Sequence, residues 1–247
     1  MGNPVPIYTN RKSTAYTHTI SYSFGSASET IRGGVNDSVT WTPPLDLASQ
    51  IPNNKSGTCT ITCTTYSGTT PVGSASVEIT LTVPDNASTK PTVNMTLSPI
   101  SSLGSAFSGL YIQNLTKVDG EISASGKYGA SIKSTQMVIG GSPYTSGYLT
   151  QTGNVAVTGK ATDSRGYVGS IDKTIAVIPY SKPAVLPATG QKSVICGRCN
   201  EIGSYTETGT YLRIIAKRSY STITANGVQK NFCTLRFRVN GGEWQTL

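Results

Sequence analysis

The fold is decided by a stretch near the N-terminus, which reads Tyr16-Thr-His-Thr-Ile-Ser-Tyr-Ser-Phe24. Large side chains occupy every second position, and Thr or Ser fills the positions between them. Because successive side chains of a β-strand point to opposite faces, this pattern predicts a half-buried strand with a hydroxyl-rich outer face. The same alternation recurs at 77–83, 93–97, 155–157, 175–177, 212–216 and 235–239. Gly-rich turn clusters separate these stretches, so the sequence predicts antiparallel sheets.

The composition agrees with an all-β chain and excludes several other classes. Of the 247 residues, 36% are hydrophobic and 13% are charged, and Gly (26) and Pro (13) are frequent. Both fractions lie below those of ordinary globular chains. This composition therefore excludes a helical bundle and a coiled coil. No apolar run approaches the roughly 20 residues that span a bilayer, so we expect no membrane insertion. The N-terminus has no basic region followed by an apolar one, so we also expect no signal peptide.

Two similar junctions predict the domain organisation. A strand ends at Val83-Pro84 and again at Ile178-Pro179, and after each a Lys-Pro pair opens the next segment, at Lys90 and at Lys182. Proline cannot pair in a ladder, so it ends a sheet and stiffens the joint. The spacing of the pairs is close to the ~100 residues of an immunoglobulin sandwich. We therefore predict tandem immunoglobulin-like antiparallel β-sandwich modules joined by short Pro-containing linkers, at 1–84, 85–180 and 181–247, of which the third is truncated or minimal.

Two shorter segments carry specific expectations. The segment Trp41–Pro52 has Pro at both ends and predicts a crossing turn or one short helix, in which Trp41 packs into the core. A carbohydrate-stacking role for Trp41 is the alternative. The stretch Asp163-Ser-Arg-Gly166 has the signature of a β-turn, in which Asp accepts backbone N–H groups and Gly closes the turn. Calcium binding by Asp163, as in cadherin-like modules, is the alternative, but it needs several carboxylates near one joint.

The five cysteines do not form a disulfide framework in the sequence. Cys59 and Cys63 lie four residues apart on one face of a predicted strand, about 13 Å from each other, which is too far for a disulfide. Cys196 and Cys199 form a C-x-x-C pair, with Cys233 downstream. A zinc site at these three cysteines would need a fourth ligand, and a redox motif at Cys196 and Cys199 would need a helix after it. A disulfide between one of this pair and Cys233 is a further alternative. We interpret all five as free thiols.

The sequence offers little material for catalysis. It contains one His and twelve acidic residues, and it lacks a nucleophile elbow and a phosphate-binding loop. His18 stands mid-strand among aromatic residues, which indicates a core histidine rather than a general base. A pair of carboxylates for glycoside hydrolysis is open from sequence alone, since only their separation in space decides it. We predict no enzyme activity, no cofactor and no bound metal.

The positive charge is concentrated at the C-terminal end. The chain has a net charge of +8, and residues 181–247 carry nine Lys or Arg against three acidic residues. A positive electrostatic field favours an anionic partner. The alternative interpretation is that the charge serves only to keep the chain soluble. If the strands at 211–217 and 235–239 share a sheet, one outer face gathers four cations and a tyrosine. These candidate contacts for an anionic surface are Tyr211, Arg213, Lys217, Arg236 and Arg238.

Several stretches resemble a known group of phage proteins. They are Thr14-Ala-Tyr-Thr-His-Thr-Ile-Ser-Tyr-Ser-Phe-Gly-Ser-Ala-Ser28, Val39-Thr-Trp-Thr-Pro-Pro-Leu-Asp-Leu-Ala-Ser-Gln-Ile-Pro-Asn53 and Ser56-Gly-Thr-Cys-Thr-Ile-Thr-Cys-Thr-Thr-Tyr-Ser-Gly68, with weaker elements at Ala161-Thr-Asp-Ser-Arg-Gly166 and Gly209-Thr-Tyr-Leu212. These resemble siphovirus minor structural proteins, a family of uncharacterised function found in tail tips and fibres of phages and prophages. The family provides no catalytic motif that could be transferred to this chain.

The resemblance implies a phage tail protein that acts as a rigid spacer and contributes to host attachment. It implies a location in the virion, facing the outside of the host, with other tail proteins and host polysaccharide or teichoic acid as partners. Oligomerisation fits this role, whereas sequence-specific nucleic-acid binding does not, because no reading motif is present. A bacterial surface adhesin or carbohydrate-binding module, and the accessory region of a cell-wall enzyme, are the alternative functions.

Overall fold

The computed structural model describes the backbone of residues 1–186 and 194–246. The N-terminal third contains six strands and a 3-10 helix, which spans Leu45–Gln50 between the fourth and fifth strands. The strands are β1 (Val5–Tyr8), β2 (Tyr16–Phe24), β3 (Ala27–Val35), β4 (Ser38–Trp41), β5 (Ser56–Ser67) and β6 (Thr70–Thr82). The predicted strand at 16–24 and the short helix of the Pro-bounded segment are thus both confirmed.

The middle of the chain contains seven strands and a single 3-10 turn at Ser105–Phe107. They are β7 (Thr92–Ile100), β8 (Tyr111–Ile112), β9 (Lys117–Ser125), β10 (Ile132–Ile139), β11 (Ser142–Tyr144), β12 (Gly153–Asp163) and β13 (Val168–Ile178). The C-terminal part contains β14 (Ala184–Leu186), β15 (Val194–Cys199), β16 (Tyr211–Ser219), β17 (Thr224–Ala225), β18 (Val228–Gln229), β19 (Arg236–Phe237) and β20 (Gln245–Thr246).

The strands form mostly antiparallel sheets, as the sequence predicts. In the first third, the order β3-β2-β5-β6 forms one sheet and β1-β4 forms another. Further along, the order is β11-β10-β12-β13-β8, with β7-β9 as a separate pair, and β8 pairs with β13 in parallel. The C-terminal strands form the sheet β14-β16-β15 and the hairpins β17-β18 and β19-β20. The all-β fold class is therefore confirmed.

Internal packing divides the chain into two compact units. The first contains Met1–Thr96, Gly120–Tyr144 and Val157–Lys173, and the second contains Leu97–Asp119, Thr145–Ala156 and Thr174–Leu247. The predicted first module, 1–84, lies wholly within the first unit. The division of the sequence into three modules stays a prediction.

The core of the first unit is built from the apolar faces that the alternation predicts. Its buried members come from both sheets of the first third and from the 3-10 helix: Ile20, Tyr22, Phe24, Val35, Trp41, Leu47, Cys59, Ile61 and Leu81. Full burial of a side chain such as Ile20 or Phe24 contributes about 1.5–3 kcal/mol each. Gly57 allows the close packing of this core, because a Cβ at this position would lie 3.0 Å from the Phe24 ring.

Two aromatic residues of this core have the roles expected from sequence. Trp41 is 7% exposed and stacks on Tyr22, with 4.9 Å between the ring centroids. This confirms the core interpretation of Trp41 over a solvent-facing sugar platform. His18 is also buried, and its Nδ1 lies 3.0 Å from the Thr65 hydroxyl, so the core interpretation of this histidine is confirmed as well.

The second unit is well packed around its middle strands and more open at the C-terminal end. Buried Thr116 accepts the N–H of Ile112 and, through its own carbonyl, that of Leu149. In the described part of 194–246, the buried hydrophobic side chains are Cys199 and Ile223. The prediction of buried faces at 77–83, 212–216 and 235–239 is wrong at Val77, Leu212 and Val239, each of which is about half exposed. Within the described ranges, no helix combines the length and the hydropathy needed to span a bilayer.

Candidate functional site

The turn between β12 and β13 is organised by a buried aspartate. Asp163 is fully buried, and its Oδ1 accepts the N–H groups of Arg165 at 2.9 Å and of Tyr167 at 2.8 Å. Gly166 has a φ of +82°, a left-handed conformation that favours glycine. The β-turn prediction for 163–166 is confirmed, including the role of the aspartate as a backbone acceptor.

Arg165 extends from this turn into the first third of the chain. It is 4% exposed, and its guanidinium donates four hydrogen bonds, all to main-chain carbonyls. Nε donates to Ile51 at 3.3 Å, and Nη2 donates to Ala48 at 2.8 Å. Nη2 also donates to Tyr128 at 2.7 Å, and Nη1 donates to Lys127 at 2.9 Å. One side chain thus ties the end of the 3-10 helix to the segment before β10.

The neighbours of Arg165 in the turn reinforce the same contact. The Ser164 hydroxyl donates to the Pro52 carbonyl at 2.6 Å, and the Tyr167 hydroxyl donates to the Val83 carbonyl. The Tyr167 ring is buried, and the Lys55 ammonium lies 5.2 Å from its centroid. We call residues 163–167, with these contacts, the Arg165 latch.

The latch buries charge and satisfies most of it with hydrogen bonds, although the buried Oδ2 of Asp163 has no hydrogen-bond partner among the described residues. Removing a guanidinium from water is expensive unless its N–H groups find acceptors, and four of the five N–H groups of Arg165 have them here. Burial raises the pKa of the Tyr167 hydroxyl, and the negative charges of Asp85 and Asp163 raise it further, whereas Arg165 lowers it. Every polar side chain of the latch is thus engaged in holding backbone segments together.

The predicted linker at 84–91 is itself ordered and lies beside the latch. Buried Thr89 donates from its hydroxyl to the Pro84 carbonyl and accepts the Asn86 N–H at 3.2 Å. The linker packs closely on β13, because a Cβ at Gly169 would lie 2.0 Å from the Pro91 carbonyl oxygen. This joint is therefore fixed by hydrogen bonds and packing as well as by proline.

The second predicted joint, after β13, is also held by side chains. The Gln113 side-chain oxygen accepts the Tyr180 N–H at 3.2 Å, and the Gln113 backbone N–H donates to Ile178 at 2.9 Å. The Ser221 hydroxyl accepts the Ser181 N–H at 2.7 Å. Both Pro-containing joints thus have specific polar contacts within their own unit.

The five candidate surface residues are all exposed, but they do not share one sheet. Tyr211, Arg213 and Lys217 lie on β16 and face the same side, as predicted. Arg236 lies on β19, and Arg238 follows that strand. Because β19 pairs with β20 and β16 pairs with β14 and β15, the single face of four cations that a shared sheet would produce is not formed. The contact role of these residues stays a prediction.

Two of the candidate cations contact aromatic rings. The Arg213 guanidinium lies over the Tyr205 ring, 5.2 Å from its centroid, and Nη1 donates to the Gly203 carbonyl at 2.8 Å. The Arg238 guanidinium lies 5.0 Å from the centroid of the Trp244 ring. Sequence reasoning missed Tyr205 and Trp244, since nothing in the local pattern pairs an aromatic residue with a cation on a neighbouring segment.

The cysteines are present as free thiols. Cys59 and Cys63 lie on the inward face of β5, and burial raises the pKa of both thiols. Cys196 and Cys199 lie within β15 rather than at the start of a helix, and Cys196 is exposed whereas Cys199 is buried. In the described ranges, no three His, Cys, Asp or Glu side chains come together in a way that could hold a metal ion.

The sequence pattern also does not predict the role of Arg165. The β-turn signature explains Asp163 and Gly166 but does not specify the two residues between them. One local signal exists, because the last carbonyls of a short helix bounded by proline need partners from elsewhere in the chain. That signal does not identify the donor.

Comparison with known proteins gives a family match and distant structural similarities. The sequence model of a family described as "Siphovirus protein of unknown function (DUF859)" matches residues 1–246. A comparison with curated protein sequences found no match. The fibronectin(III)-like modules of Clostridium thermocellum CbhA align at 15% identity over 72% of this chain and 87% of theirs, with a TM-score of 0.29. Extracellular cadherin domains 3–6 of protocadherin gamma B2 align at 14% identity over 75% of this chain and 50% of theirs, with a TM-score of 0.25.

Proposed function

Because the chain belongs to the family of siphovirus proteins that matches almost its whole length, we propose that it is a structural component of the phage tail. In this role it acts without catalysis, as a stiff spacer that carries a basic surface towards the host cell. Its partners are other tail proteins and an anionic polymer of the host surface.

The observation that carries this proposal is the Arg165 latch. Consecutive domains of one chain move relative to each other by default, unless a large or strongly bonded contact opposes the motion. The latch joins segments of the predicted first and second modules through buried hydrogen bonds from Arg165, Ser164 and Tyr167. Such a joint suits a component that transmits position and force along a tail.

The chemistry of the buried polar groups supports a non-catalytic role. The buried polar or charged residues that the structure describes are His18, Thr89, Thr116, Asp163, Ser164 and Arg165. Each of them makes hydrogen bonds that fix a strand, a turn or a joint. None of these bonds orients a nucleophile towards an open cleft.

The location is tested on intact phage particles. Antibodies raised against the purified chain are applied to phage and viewed by negative-stain electron microscopy with gold labels. We expect label on the tail and none on the capsid. Label on the capsid alone, or particles that carry no chain by immunoblot, would contradict the proposed tail role.

The host-contact part needs a separate assay. Purified chain is added to host cells before phage, and the adsorption rate is measured. We expect slower adsorption, with a stronger effect at low salt because the contact is electrostatic. Unchanged adsorption at saturating chain concentration would remove the host-contact role while leaving the structural one in place.

A further inference from the structure

The surface around Tyr205 combines an aromatic ring with basic side chains. Tyr205 follows β15 and returns to pair with Cys199 as an isolated bridge. Its ring lies over Gly197 of β15, which is directly opposite Arg213 of β16. About half of the Tyr205 side chain is exposed to solvent. The ring is therefore held on the sheet while part of its surface remains open.

Glycine at position 197 makes this placement possible. A Cβ at this position would lie 2.8 Å from Cε1 and 2.9 Å from Cδ1 of the Tyr205 ring, which is closer than Cβ contacts in proteins allow. The Arg213 guanidinium lies 5.2 Å from the ring centroid and is itself fixed by its hydrogen bond to Gly203. The aromatic ring and the guanidinium are thus pre-positioned, which lowers the entropy cost of binding a ligand.

A shallow, wide-open cavity of about 490 Å³ lies beside this ring. It is lined by Arg198, Tyr205, Thr206 and Glu207. Its volume is in the range of small-molecule binding sites, and its lining combines an aromatic surface with a few polar groups. A sugar ring fits this chemistry, because its C–H face packs on an aromatic ring while its hydroxyls bond to Thr206 and Glu207.

The charge around the cavity selects an anionic sugar. Arg198 lines the cavity and Arg213 contacts the Tyr205 ring, and guanidinium groups bind phosphate and carboxylate strongly. Their two positive charges exceed the one negative charge of Glu207, and residues 181–247 as a whole carry six more positive than negative charges. We propose that the Tyr205 surface, defined as Gly197, Arg198, Tyr205, Thr206, Glu207 and Arg213, binds a polymer whose sugar or polyol units carry phosphate or carboxylate groups. This proposal rests on the proposed host-contact function.

Binding is measured by isothermal titration of the full chain at about 0.15 M salt. The polymers are wall teichoic acid for phosphate, polygalacturonate for carboxylate, and dextran as the neutral control. We expect binding to at least one anionic polymer and none to dextran. Equal binding to dextran, or no binding to either anionic polymer, would overturn the site, and the gold-labelling result on the tail is independent of this outcome.

Variants separate a specific site from general charge. We expect Tyr205→Ala and Arg213→Ala each to weaken binding about tenfold, as the loss of a central anchor does. The matched control is Arg32→Ala, which removes an exposed arginine on β3 of the first unit and should change binding less than about twofold. Equal losses in Arg213→Ala and Arg32→Ala, or equal affinity for single-stranded DNA, would reduce the interaction to unspecific electrostatics and refute the proposal.

Two further variants test the geometry and the sign of the charge. Gly197→Ala keeps every charge but displaces the Tyr205 ring, so we expect a loss similar to that of Tyr205→Ala. Glu207→Gln should bind anionic polymers as tightly as the native chain or more tightly. Circular dichroism and the melting temperature establish that each variant is folded. Native affinity in folded Gly197→Ala, or weaker binding in folded Glu207→Gln, would contradict the proposed arrangement.

Discussion

Replacing Arg165 by alanine is the most direct test of the latch. The change removes four hydrogen bonds from a charged donor and leaves carbonyls of Ala48, Ile51, Lys127 and Tyr128 without that partner. A hydrogen bond to a charged group contributes about 1.5–3 kcal/mol, but water entering the vacated space satisfies part of the loss. The cost of burying the charge also disappears, so we expect the free energy of unfolding to fall by about 3–5 kcal/mol.

The assay is urea unfolding of the full chain, combined with hydrogen exchange measured by mass spectrometry. We expect exchange in Arg165→Ala to accelerate together in three segments, 45–53, 126–131 and 163–167. Arg165→Lys should lie between native and alanine, because an ammonium donates from a single point and cannot reach all four carbonyls. The control is Arg32→Ala, an exposed arginine of the same unit, which should change stability by less than about 0.5 kcal/mol.

The reasoning fails if Arg165→Ala unfolds at the same urea concentration as the native chain. It also fails if exchange accelerates in the turn alone, since that result would mean that the turn does not hold the other two segments. Where the alanine variant does not fold, the lysine variant supplies the same comparison.

Three further predictions follow from buried groups. Tyr167→Phe should lower the free energy of unfolding by about 1 kcal/mol through loss of the hydrogen bond to Val83. Because folding raises the Tyr167 pKa, the native chain should lose stability as the pH rises above about 10. The Tyr167→Phe variant should lose less stability over the same range, as measured by denaturation between pH 8 and 11. A thiol reagent should modify exposed Cys196 in the native state but buried Cys59 only after unfolding, and modification of both at one rate would contradict this. Trp41→Ala should cost about 3–5 kcal/mol in thermal or urea denaturation, and a cost below about 1 would contradict its place in the core.

Much of the fold follows from local sequence pattern. The alternation at 16–24 predicts both the strand and its buried face, because side-chain direction in a strand has a strict period of two. The turn at 163–166 is equally local, since Asp163 bonds to N–H groups two and four residues away. Where the alternation fails, at Val77, Leu212 and Val239, the reason is not local, because burial there depends on whether another layer covers the sheet.

Local sequence is sufficient to predict strands such as β2, β5 and β13, the position of the short helix, the turn chemistry of Asp163 and the excess of positive charge at the C-terminal end. Each of these depends on residues a few positions apart. The folded chain alone shows that Arg165 bonds to carbonyls 114 and 117 residues earlier, and that Tyr205 packs on Gly197 and contacts Arg213. Main-chain carbonyls are the same at every residue, so no pattern of side chains marks which of them a distant arginine will meet.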